Sequence, residues 1–515
     1  MSRFRVITVA AAIAVAVAVV GGASSHGFAD GTPPPEIGEN AATGWPAHNY
    51  DLSNSRANLK TDINSSNVGT LKQKWAFKLS YSGAFGAFTS NPIVQNNVVY
   101  FEDPDSNVYA LDEATGKVNW VHKYKSVTPS GGPNGVAVGY GLVYGATENK
   151  LFALDPATGK QVWISKQLTT SKTEGIDMAP QLYGNKVLIS TIPGSSTNYY
   201  AGNAYGKVYA LDAKTGKVDW MFSTVQGGQK LWGNPKLNSG GGLWYPPSVD
   251  SQGRVFIGVA NPAPFPLSAK SPNGSTRPGP NLYTDSLVAL NGDTGKILWY
   301  QQVTSHDLRD YDFQISPIIT TLNGTEAVIG AGKSGKVVAF QADNGKRLWT
   351  LNVGKHNKYQ YGPLPKTPVT VCPGYLGGVE TPMALNAGLL YVPWVDLCAK
   401  QGATGFGAGV NFAAGKGGLE AVNAATGAVT WKHTYPTLAV GAATIANDVV
   451  FTETYSGAIY AYNAKTGAVL WTVKAPNGIN SFPAITKNMF IIGAGAPSGA
   501  KKPLNEIVAY SLNGQ

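Results

Sequence analysis

A repeat of eleven residues that ends in tryptophan constrains the fold of this chain more than any other feature. Ala210–Trp220 reads Ala-Leu-Asp-Ala-Lys-Thr-Gly-Lys-Val-Asp-Trp and follows alternating apolar residues. This pattern predicts a strand, a hairpin loop and a second strand that ends on Trp220. Asp212 can accept hydrogen bonds from loop amides, and Gly216 supplies the positive φ that the loop needs. The full copies are Ala110–Trp120, Ala153–Trp163, Ala210–Trp220, Ala289–Trp299, Ala339–Trp349, Ala421–Trp431 and Ala461–Trp471.

The spacing of the copies predicts an all-β fold. The tryptophans are 43, 57, 79, 50, 82 and 40 residues apart, and the shortest steps suit one four-stranded sheet per repeat. Ile507–Leu512 begins a repeat and stops after its first strand, whereas Leu71–Leu79 supplies a strand through Trp75 with no loop before it. We therefore expect an eight-bladed β-propeller, closed by pairing of the N- and C-terminal strands. Closure removes the exposed edges of an open stack of sheets.

The first residues have the features of a signal peptide. Arg3 and Arg5 precede the apolar run Val6–Val20, which is short for a membrane span, and small residues follow it. We expect a signal peptide over residues 1–29, a flexible Pro- and Gly-rich segment over residues 30–43, and one propeller domain over residues 44–515. The mature protein is then exported to the periplasm or the extracellular space, with no membrane span.

Charge and cysteine content narrow the set of partners. The formal net charge is +10, and no basic stripe with interleaved aromatic residues is present, so nucleic acid is not expected as a partner. Cys372 and Cys398 are the only cysteines, and both lie in the longest step between repeats. In an exported chain they are expected to form a disulfide. The chain has no Cys-x-x-Cys-His motif, so no haem is expected to be attached to it covalently.

Two regions resemble the quinoprotein alcohol dehydrogenases. Gly44–Arg56 reads Gly-Trp-Pro-Ala-His-Asn-Tyr-Asp-Leu-Ser-Asn-Ser-Arg, and the segments of Ser239–Lys333 follow the family's order at similar spacing. They include Gly-Gly-Gly-Leu-Trp at 240–244, Val-Ala-Asn-Pro at 259–262 and Ser-His-Asp-Leu-Arg-Asp-Tyr-Asp at 305–312. Members of this family are eight-bladed propellers that hold pyrroloquinoline quinone (PQQ) and oxidise alcohols. The resemblance covers most of the mature chain.

The resemblance assigns cofactor and catalytic roles to single residues. Trp244 is placed as the aromatic floor under the quinone. Asp310 is placed as the base that takes the hydroxyl proton, and Lys333 as the cation beside the quinone oxygens. The alternatives are a core tryptophan, a solvated acidic loop and a surface lysine in a Lys-Ser-Gly turn. His306 is expected to form structural hydrogen bonds.

The same resemblance predicts a metal site. Asn261, Asp310 and Asp312 are placed as its ligands, because hard cations prefer amide and carboxylate oxygens. Calcium is expected in preference to a lanthanide, although Asp312 stands where lanthanide-using relatives have an additional aspartate. The alternative for Asn261 is an Asx turn beside prolines.

The chain departs from the family at several positions. Pro129–Gly135 has neither the adjacent cysteine pair nor the arginine that the family uses around the quinone. The metal-binding glutamate falls near Ala201, where no acid stands, so Glu174 or Asp177 is the candidate substitute, and Asp177 is assigned to cofactor binding. Val379-Glu380 replaces the family's Asn-Trp pair.

These features predict an exported, PQQ-dependent dehydrogenase with calcium. Its substrate would be a small alcohol or a polymeric polyol, as in polyvinyl alcohol dehydrogenases. Electrons would pass to a separate acceptor such as a cytochrome c. The competing hypothesis is a non-catalytic propeller that has lost its cofactor and binds other proteins, because the missing cysteines, arginine and glutamate all surround the quinone.

Overall fold

A computed structural model describes residues 31–80, 85–128, 130–194, 202–265, 268–497 and 504–515. The predicted signal peptide lies outside these residues. Part of the segment predicted to be flexible has regular structure, since Pro35–Asn40 form a helix with Ile37 buried. In the described part of the chain, no helix has the length and apolar character needed to cross a bilayer.

The predicted all-β class is confirmed, and most strands belong to four-stranded antiparallel sheets that we number along the chain. Sheet 1 contains Ile93–Gln95, Val98–Glu102, Val108–Asp112 and Val118–His122; sheet 2 contains Ala137–Gly139, Leu142–Ala146, Leu151–Leu154 and Gln161–Ile164; sheet 3 contains Gln181–Tyr183, Lys186–Thr191, Lys207–Asp212 and Val218–Ser223; and sheet 4 contains Ser248–Val249, Arg254–Gly258, Ser286–Asn291 and Ile297–Gln302.

The second half of the chain repeats this arrangement. Sheet 5 contains Ile318–Leu322, Thr325–Ala331, Lys336–Gln341 and Arg347–Asn352; sheet 6 contains Ala384–Asn386, Leu389–Asp396, Lys416–Asn423 and Val429–Tyr435; sheet 7 contains Thr444–Ala446, Val449–Glu453, Ala458–Asn463 and Val469–Lys474, with Ala57–Asn58 as a fifth, parallel strand; and sheet 8 contains Ala484–Ile485, Met489–Ala494, Glu506–Leu512 and Leu71–Lys78. The N-terminal strand Leu71–Lys78 therefore pairs with the last strand, Glu506–Leu512, in the register Leu71 to Leu512.

Two small sheets occupy the longer steps between repeats. One contains Ala204–Tyr205, Ser239–Gly240 and Pro262–Ala263, and the other contains Val369–Val371, Ala399–Gly402 and Gly405–Ala408. Short 3-10 turns complete the elements, at Val68–Thr70, Gly228–Gly233, Pro272–Gly274, Lys358–Gln360 and Phe412–Ala414.

The repeat builds the third and fourth strands of each sheet as the sequence predicts. Asp212 Oδ1 accepts a hydrogen bond of 2.9 Å from the Thr215 amide, and Gly216 has a φ of +67°. Ala210 pairs with Trp220 across the hairpin, and a bulge follows because Leu211 pairs with Val218. The bulge leaves the tryptophan free to turn towards the neighbouring sheet.

In seven of the eight sheets, the tryptophan docks on the hairpin loop of the next sheet. Trp220 Nε1 donates to the Gly292 carbonyl at 2.8 Å, and its ring covers Gly295. Seven tryptophans make the equivalent bond at 2.8 to 3.2 Å, namely Trp75, Trp120, Trp163, Trp220, Trp299, Trp349 and Trp431. Trp471 of sheet 7 packs edge-on against Tyr510 of sheet 8, with 5.7 Å between the ring centroids. These contacts join each sheet to the next.

The segment before the first sheet ties the first strands of the sheets together. Arg56 is fully buried, and its guanidinium donates to oxygens of sheets 7 and 8 and to His48 and Asn49. Backbone bonds extend from this segment to sheets 1, 4, 5, 6 and 7, through Trp45 to Val94, Leu52 to Val249, Ser53 to Ile319, Ser55 to Leu385 and Arg56 to Ile445. The segment is therefore part of the core, and it supports the inner end of every sheet that it contacts.

The tryptophan docking can be tested with a pair of glycines. A Cβ at Gly295 would lie 2.4 Å from Cε3 of Trp220, whereas a Cβ at Gly324 would meet nothing within 4 Å. Both glycines have a positive φ, +65° and +79°, so both alanine variants lose about 1 kcal/mol to backbone strain. We expect Gly295→Ala to lose about 1–3 kcal/mol more, because the ring is displaced. Urea unfolding measures both, and equal losses would contradict the docking.

Candidate active site

The loops that lead from one sheet to the next meet around a cavity of about 540 Å³. Its lining comes from the loops that precede sheets 1, 2, 4, 5, 6, 7 and 8, and from the connections between the second and third strands of sheets 4 to 8, which include the turn at Lys333. Three titratable acid and base side chains line it, Asp310, Lys333 and Glu380, among many aromatic ones. Trp244, Asp310 and Lys333, three of the predicted site residues, therefore share one cavity.

Lys333 lies between two buried aspartates. Its Nζ is 2.8 Å from Asp310 Oδ2 and 2.7 Å from Asp312 Oδ2. Asp310 has a φ of +66°, which aspartate tolerates better than most residues, and this turn brings its side chain to the cavity. Asp312 does not line the cavity, and its Oδ1 accepts a hydrogen bond of 2.5 Å from the backbone amide of Asn261. Both Asp312 oxygens are thus engaged within the protein.

Asp310 and Lys333 shift each other's pKa. Burial raises the pKa of Asp310 well above its usual value, although the Lys333 ammonium opposes the shift. Burial alone would lower the pKa of Lys333, but Asp310 and Asp312 reverse that shift and hold it well above its usual value. Lys333 therefore keeps its proton, and Asp310 is the member of this ion-pair cluster whose carboxylate oxygens line the cavity.

Several buried oxygens of the candidate site have no hydrogen-bond partner among the described residues. They include Asn261 Oδ1, Asp310 Oδ1 and Glu380 Oε1. Unsatisfied buried acceptors are unusual, and a bound cation or substrate hydroxyl would satisfy them. Within the described ranges, however, no three His, Cys, Asp or Glu side chains come together in a way that could hold a metal. Of the residues with open oxygens, Asp310 and Glu380 line the cavity and Asn261 does not.

Asp177 supports the cavity from behind a glycine-rich loop. Its Oδ1 accepts a hydrogen bond of 3.1 Å from the Gly131 amide, and burial raises its pKa to about 6. A Cβ at Gly132 would lie 2.8 Å from the Asp177 Cβ and 2.7 Å from Cε3 of Trp244. The loop can approach Trp244 only because residue 132 has no side chain. Asp177 thus positions cavity-lining residues and does not line the cavity itself.

The other candidate carboxylate, Glu174, is committed elsewhere. Its Oε2 is 2.8 Å from Lys207 Nζ, and both side chains are buried. Its oxygens also accept hydrogen bonds from the amide and hydroxyl of Thr170. His306 forms the structural bonds expected of it, with the carbonyls of Gly279 and Asn273 at 2.9 and 3.1 Å.

Glu380 is a cavity residue to which sequence reasoning gave no role. Its Oε2 accepts a hydrogen bond of 3.1 Å from Gln314 Nε2, and its carbonyl accepts one of 2.6 Å from the Tyr245 hydroxyl. Burial raises its pKa to about 7, with the Lys333 ammonium opposing the shift. The sequence does contain a sign of this residue, because Val379-Glu380 replaces the Asn-Trp pair of the family. That replacement shows a departure from the family and does not by itself indicate a role for the carboxylate.

The predicted disulfide between Cys372 and Cys398 is confirmed, and it braces the cavity wall. The two Cα atoms are 4.6 Å apart, and the bond joins positions separated by 26 in the sequence. The Tyr311 hydroxyl donates to the Pro373 carbonyl at 2.8 Å, which joins this loop to the segment that carries Asp310. Tyr375, on the braced loop, stacks near Phe406 with 4.4 Å between centroids.

Comparison with known proteins identifies the family. Residues 45–360 match the PQQ family model described as "Glucose/ethanol/alcohol dehydrogenase, beta-propeller domain". The chain belongs to this quinoprotein family. Residues 408–510 match a second model, described as "Outer membrane protein assembly factor BamB". The family prediction, and with it the prediction of an oxidoreductase acting on alcohols, is confirmed.

Individual relatives agree with the family match. The chain is 28% identical to the quinohemoprotein alcohol dehydrogenase ADH IIB of Pseudomonas putida, over 86% of this chain and 72% of that protein. Its fold is similar to that of the quinohemoprotein alcohol dehydrogenase of Comamonas testosteroni, with a TM-score of 0.78 and 23% identity over 93% and 82% of the two chains. A europium-containing methanol dehydrogenase gives a TM-score of 0.76 and 21% identity over 93% and 100%.

The raised pKa of Glu380 predicts a pH-dependent stability. A carboxyl group whose pKa is near 4.5 unfolded and about 7 folded favours the folded state in its protonated form. Its ionisation therefore costs the native protein stability progressively as pH rises from about 4.5 to 7, by at most about 3 kcal/mol. We expect Glu380→Gln to lose little stability at pH 4.5 and to gain relative to the wild type at pH 8. Urea unfolding at both pH values measures this, and parallel curves would contradict it.

Proposed function

We propose that the protein oxidises an alcohol to a carbonyl compound with PQQ as the hydride acceptor, Asp310 as the base and a bound cation as the Lewis acid. The observation that supports this is the ion pair of Asp310 and Lys333 on the wall of a cavity that Trp244 also lines. A purely structural ion pair has no need of a cavity beside it. The cavity volume of about 540 Å³ is in the range of small-molecule sites.

Asp310 is the group that removes the hydroxyl proton. Its Oδ2 is held by Lys333, so its Oδ1, which has no partner, is the oxygen that accepts the proton. The raised pKa of Asp310 makes the carboxylate a stronger base than an exposed aspartate. Lys333 fixes the orientation of the carboxylate and places a positive charge on the cavity wall.

The cofactor pocket fits PQQ in part. When bound, PQQ supplies the carbonyl group that takes up the hydride from the alcohol carbon. Trp244 offers a flat aromatic surface, and the backbone of Gly131 and Gly132 can come close to a planar ligand. Lys333 supplies a cation for its oxygens. Asp177 holds the glycine loop and would act on the cofactor through it.

We infer that a hard cation binds to Asn261 Oδ1 and Asp310, because both offer buried oxygens without a donor. Calcium suits this set better than a trivalent ion, since Asp312 is already neutralised by Lys333. The ligand role that the resemblance gave to Asp312 would require Lys333 to move away. Asp312 is better placed as the carboxylate that positions Lys333.

The aromatic wall indicates the kind of alcohol. Besides Asp310, Lys333 and Glu380, the cavity is lined by the aromatic residues Phe85, Phe265, Tyr375, Phe412, Tyr455 and Phe482, among others. Such a wall gains free energy from apolar contact, so we infer a bulky apolar alcohol or a segment of a polymeric polyol as substrate. Electrons would leave through a separate acceptor, for which a cytochrome c is our proposal.

We also infer that the eight sheets are the blades of one closed propeller. The pairing of Leu71–Lys78 with Glu506–Leu512 and the contact of Trp471 with Tyr510 support this. Residues 30–43 and 44–515 remain the proposed segment and domain boundaries, and residues 1–29 the proposed signal for export to the periplasm or beyond.

A non-catalytic scaffold is the second candidate. The match of residues 408–510 to the BamB model and the missing cysteine pair and arginine favour it. A scaffold would leave the cavity without a ligand, so PQQ binding separates the two functions.

Catalysis by Asp310 predicts a large loss on substitution. After reconstitution with PQQ and calcium, we expect Asp310→Asn to lower kcat in dye-linked alcohol oxidation by about 10²–10⁴-fold, because the base is removed. Asp219→Asn, at a surface aspartate 3.9 Å from Lys186, is the matched control and keeps full activity. Asn261→Ala distinguishes the role of the cation from that of the base. It should lower the activity by weakening calcium binding, and excess calcium should restore the activity. No oxidation by the wild type across a broad alcohol panel would contradict the function.

The role of Trp244 predicts a specific optical response. PQQ stacked on this indole should quench tryptophan fluorescence, so the wild type shows saturable quenching on titration. Trp244→Phe should lose most of the quenching and keep binding within about tenfold, because an aromatic floor remains. Trp232→Phe removes an indole outside the cavity lining and should quench like the wild type. Equal quenching in all three proteins would contradict the stacking, and no binding would favour the scaffold.

A further inference from the structure

A second cavity lies behind the loop that carries Asp310. It has a volume of about 280 Å³, the space of about nine liquid waters. Ser334 and Tyr311 line it, whereas Lys333 and Asp310, their neighbours in sequence, line the first cavity. One hairpin turn and one loop therefore separate the two cavities.

The lining of this second cavity is basic. Lys336, Arg309 and His306 contribute to it, and none of its lining residues is an aspartate or glutamate. Lys336 Nζ lies 5.3 Å from the centroid of the Tyr361 ring and has no carboxylate within 4 Å among the described residues. Burial lowers the pKa of Lys336, and the nearby Arg347 lowers it further. The cavity thus concentrates positive charge without an internal counter-charge.

Some of the other polar side chains at this cavity are bonded to the protein backbone, and one has no hydrogen-bond partner among the described residues. Arg309 donates to the carbonyls of Tyr359, Tyr361 and Gly362 at 2.7, 3.1 and 2.6 Å, so it builds the wall. Asp307, which is close to Arg309 in sequence, does not line the cavity and accepts hydrogen bonds from the backbone amides of residues 309 and 311. Ser334 Oγ, in contrast, is buried and has no hydrogen-bond partner among the described residues.

We propose that this second cavity binds a small oxyanion, a phosphate or a carboxylate, between Lys336 Nζ and Ser334 Oγ. The anion accepts a charge-assisted hydrogen bond from the lysine and one from the serine hydroxyl, which satisfies both groups. Arg309 adds positive potential from the wall. The site is separate from the proposed redox reaction and does not depend on it.

The turn between the cavities links anion binding to Lys333. Gly335 donates to the Gly332 carbonyl at 3.0 Å, and Lys333 donates through its amide to the Asp312 carbonyl at 3.0 Å. An anion that holds Ser334 therefore stiffens the turn that presents Lys333 to Asp310. Anion binding should accordingly protect the amide hydrogens of residues 332–335 from exchange.

Titration of the full chain with sodium phosphate and with sodium acetate tests the proposal, with sodium chloride at equal ionic strength as the reference. We expect at least one oxyanion to raise the Tm saturably above the chloride reference, since a ligand of the folded state stabilises it. A response to phosphate alone or to acetate alone identifies which source of the oxyanion the cavity takes.

The variants separate this site from binding elsewhere. Lys336→Met should weaken the affinity at least about tenfold, and Ser334→Ala about threefold, because a charged donor contributes more than a neutral one. Lys346→Met removes the same charge from an exposed position and should bind like the wild type. Lys336→Arg keeps the charge and should retain binding if Lys336→Met folds poorly. Equal affinity in Lys336→Met and Lys346→Met, or no response beyond chloride, would overturn the proposal.

Discussion

The contact between each tryptophan and the next hairpin loop is the interaction on which the rest of the structure depends. A four-stranded sheet cannot bury both of its faces alone, so its stability comes from its neighbours. The indole of Trp220 makes two contacts with the neighbouring sheet. Its ring covers Gly295, and its Nε1 donates a hydrogen bond to the Gly292 carbonyl. Glycine is required beneath the ring because any side chain would occupy the position of the indole. The repeat therefore encodes an interface between sheets as well as a hairpin.

This construction separates the framework from the site. The docked tryptophans lie on the outer strands, whereas the cavity is built from the loops that enter the sheets. Those loops differ in length and carry no repeat, so they can change without loss of the docking contacts. The departures from the family around Gly131 and Gly132 lie in such a loop, which explains how the chain can differ there and keep the family's fold.

Lys333 is the electrostatic centre of the candidate site. One ammonium faces two aspartates, and a buried arrangement of this kind is stable only when its remaining oxygens find donors or cations. Asp310 Oδ1 and Asn261 Oδ1 have none among the described residues, so the polar network is incomplete without a ligand. Glu380 adds a further carboxyl group whose pKa is near neutrality. These open oxygens and raised pKa values are the basis of the proposed cation site and of the proposed base.

The sequence by itself determined the strand and hairpin pattern, the pairing of Leu71–Lys78 with the last strand, the disulfide and the family. The strand pattern and the pairing follow from residue types and spacing, such as the glycine and tryptophan of the repeat. The disulfide follows from the presence of only two cysteines in a chain expected to be exported, and the family follows from the resemblance of its motifs. Only the tertiary structure decided which candidates share a cavity. It placed Trp244, Asp310 and Lys333 in the lining of one cavity. It also placed Asp177 behind a glycine-rich loop and paired Asp312 with Lys333. The tertiary structure also decides the pKa of Glu380, which burial raises and Lys333 opposes. Lys333 is far from Glu380 in sequence, so the residues next to Glu380 do not indicate either effect. Packing between segments far apart in sequence decides such contacts, so no local pattern specifies them.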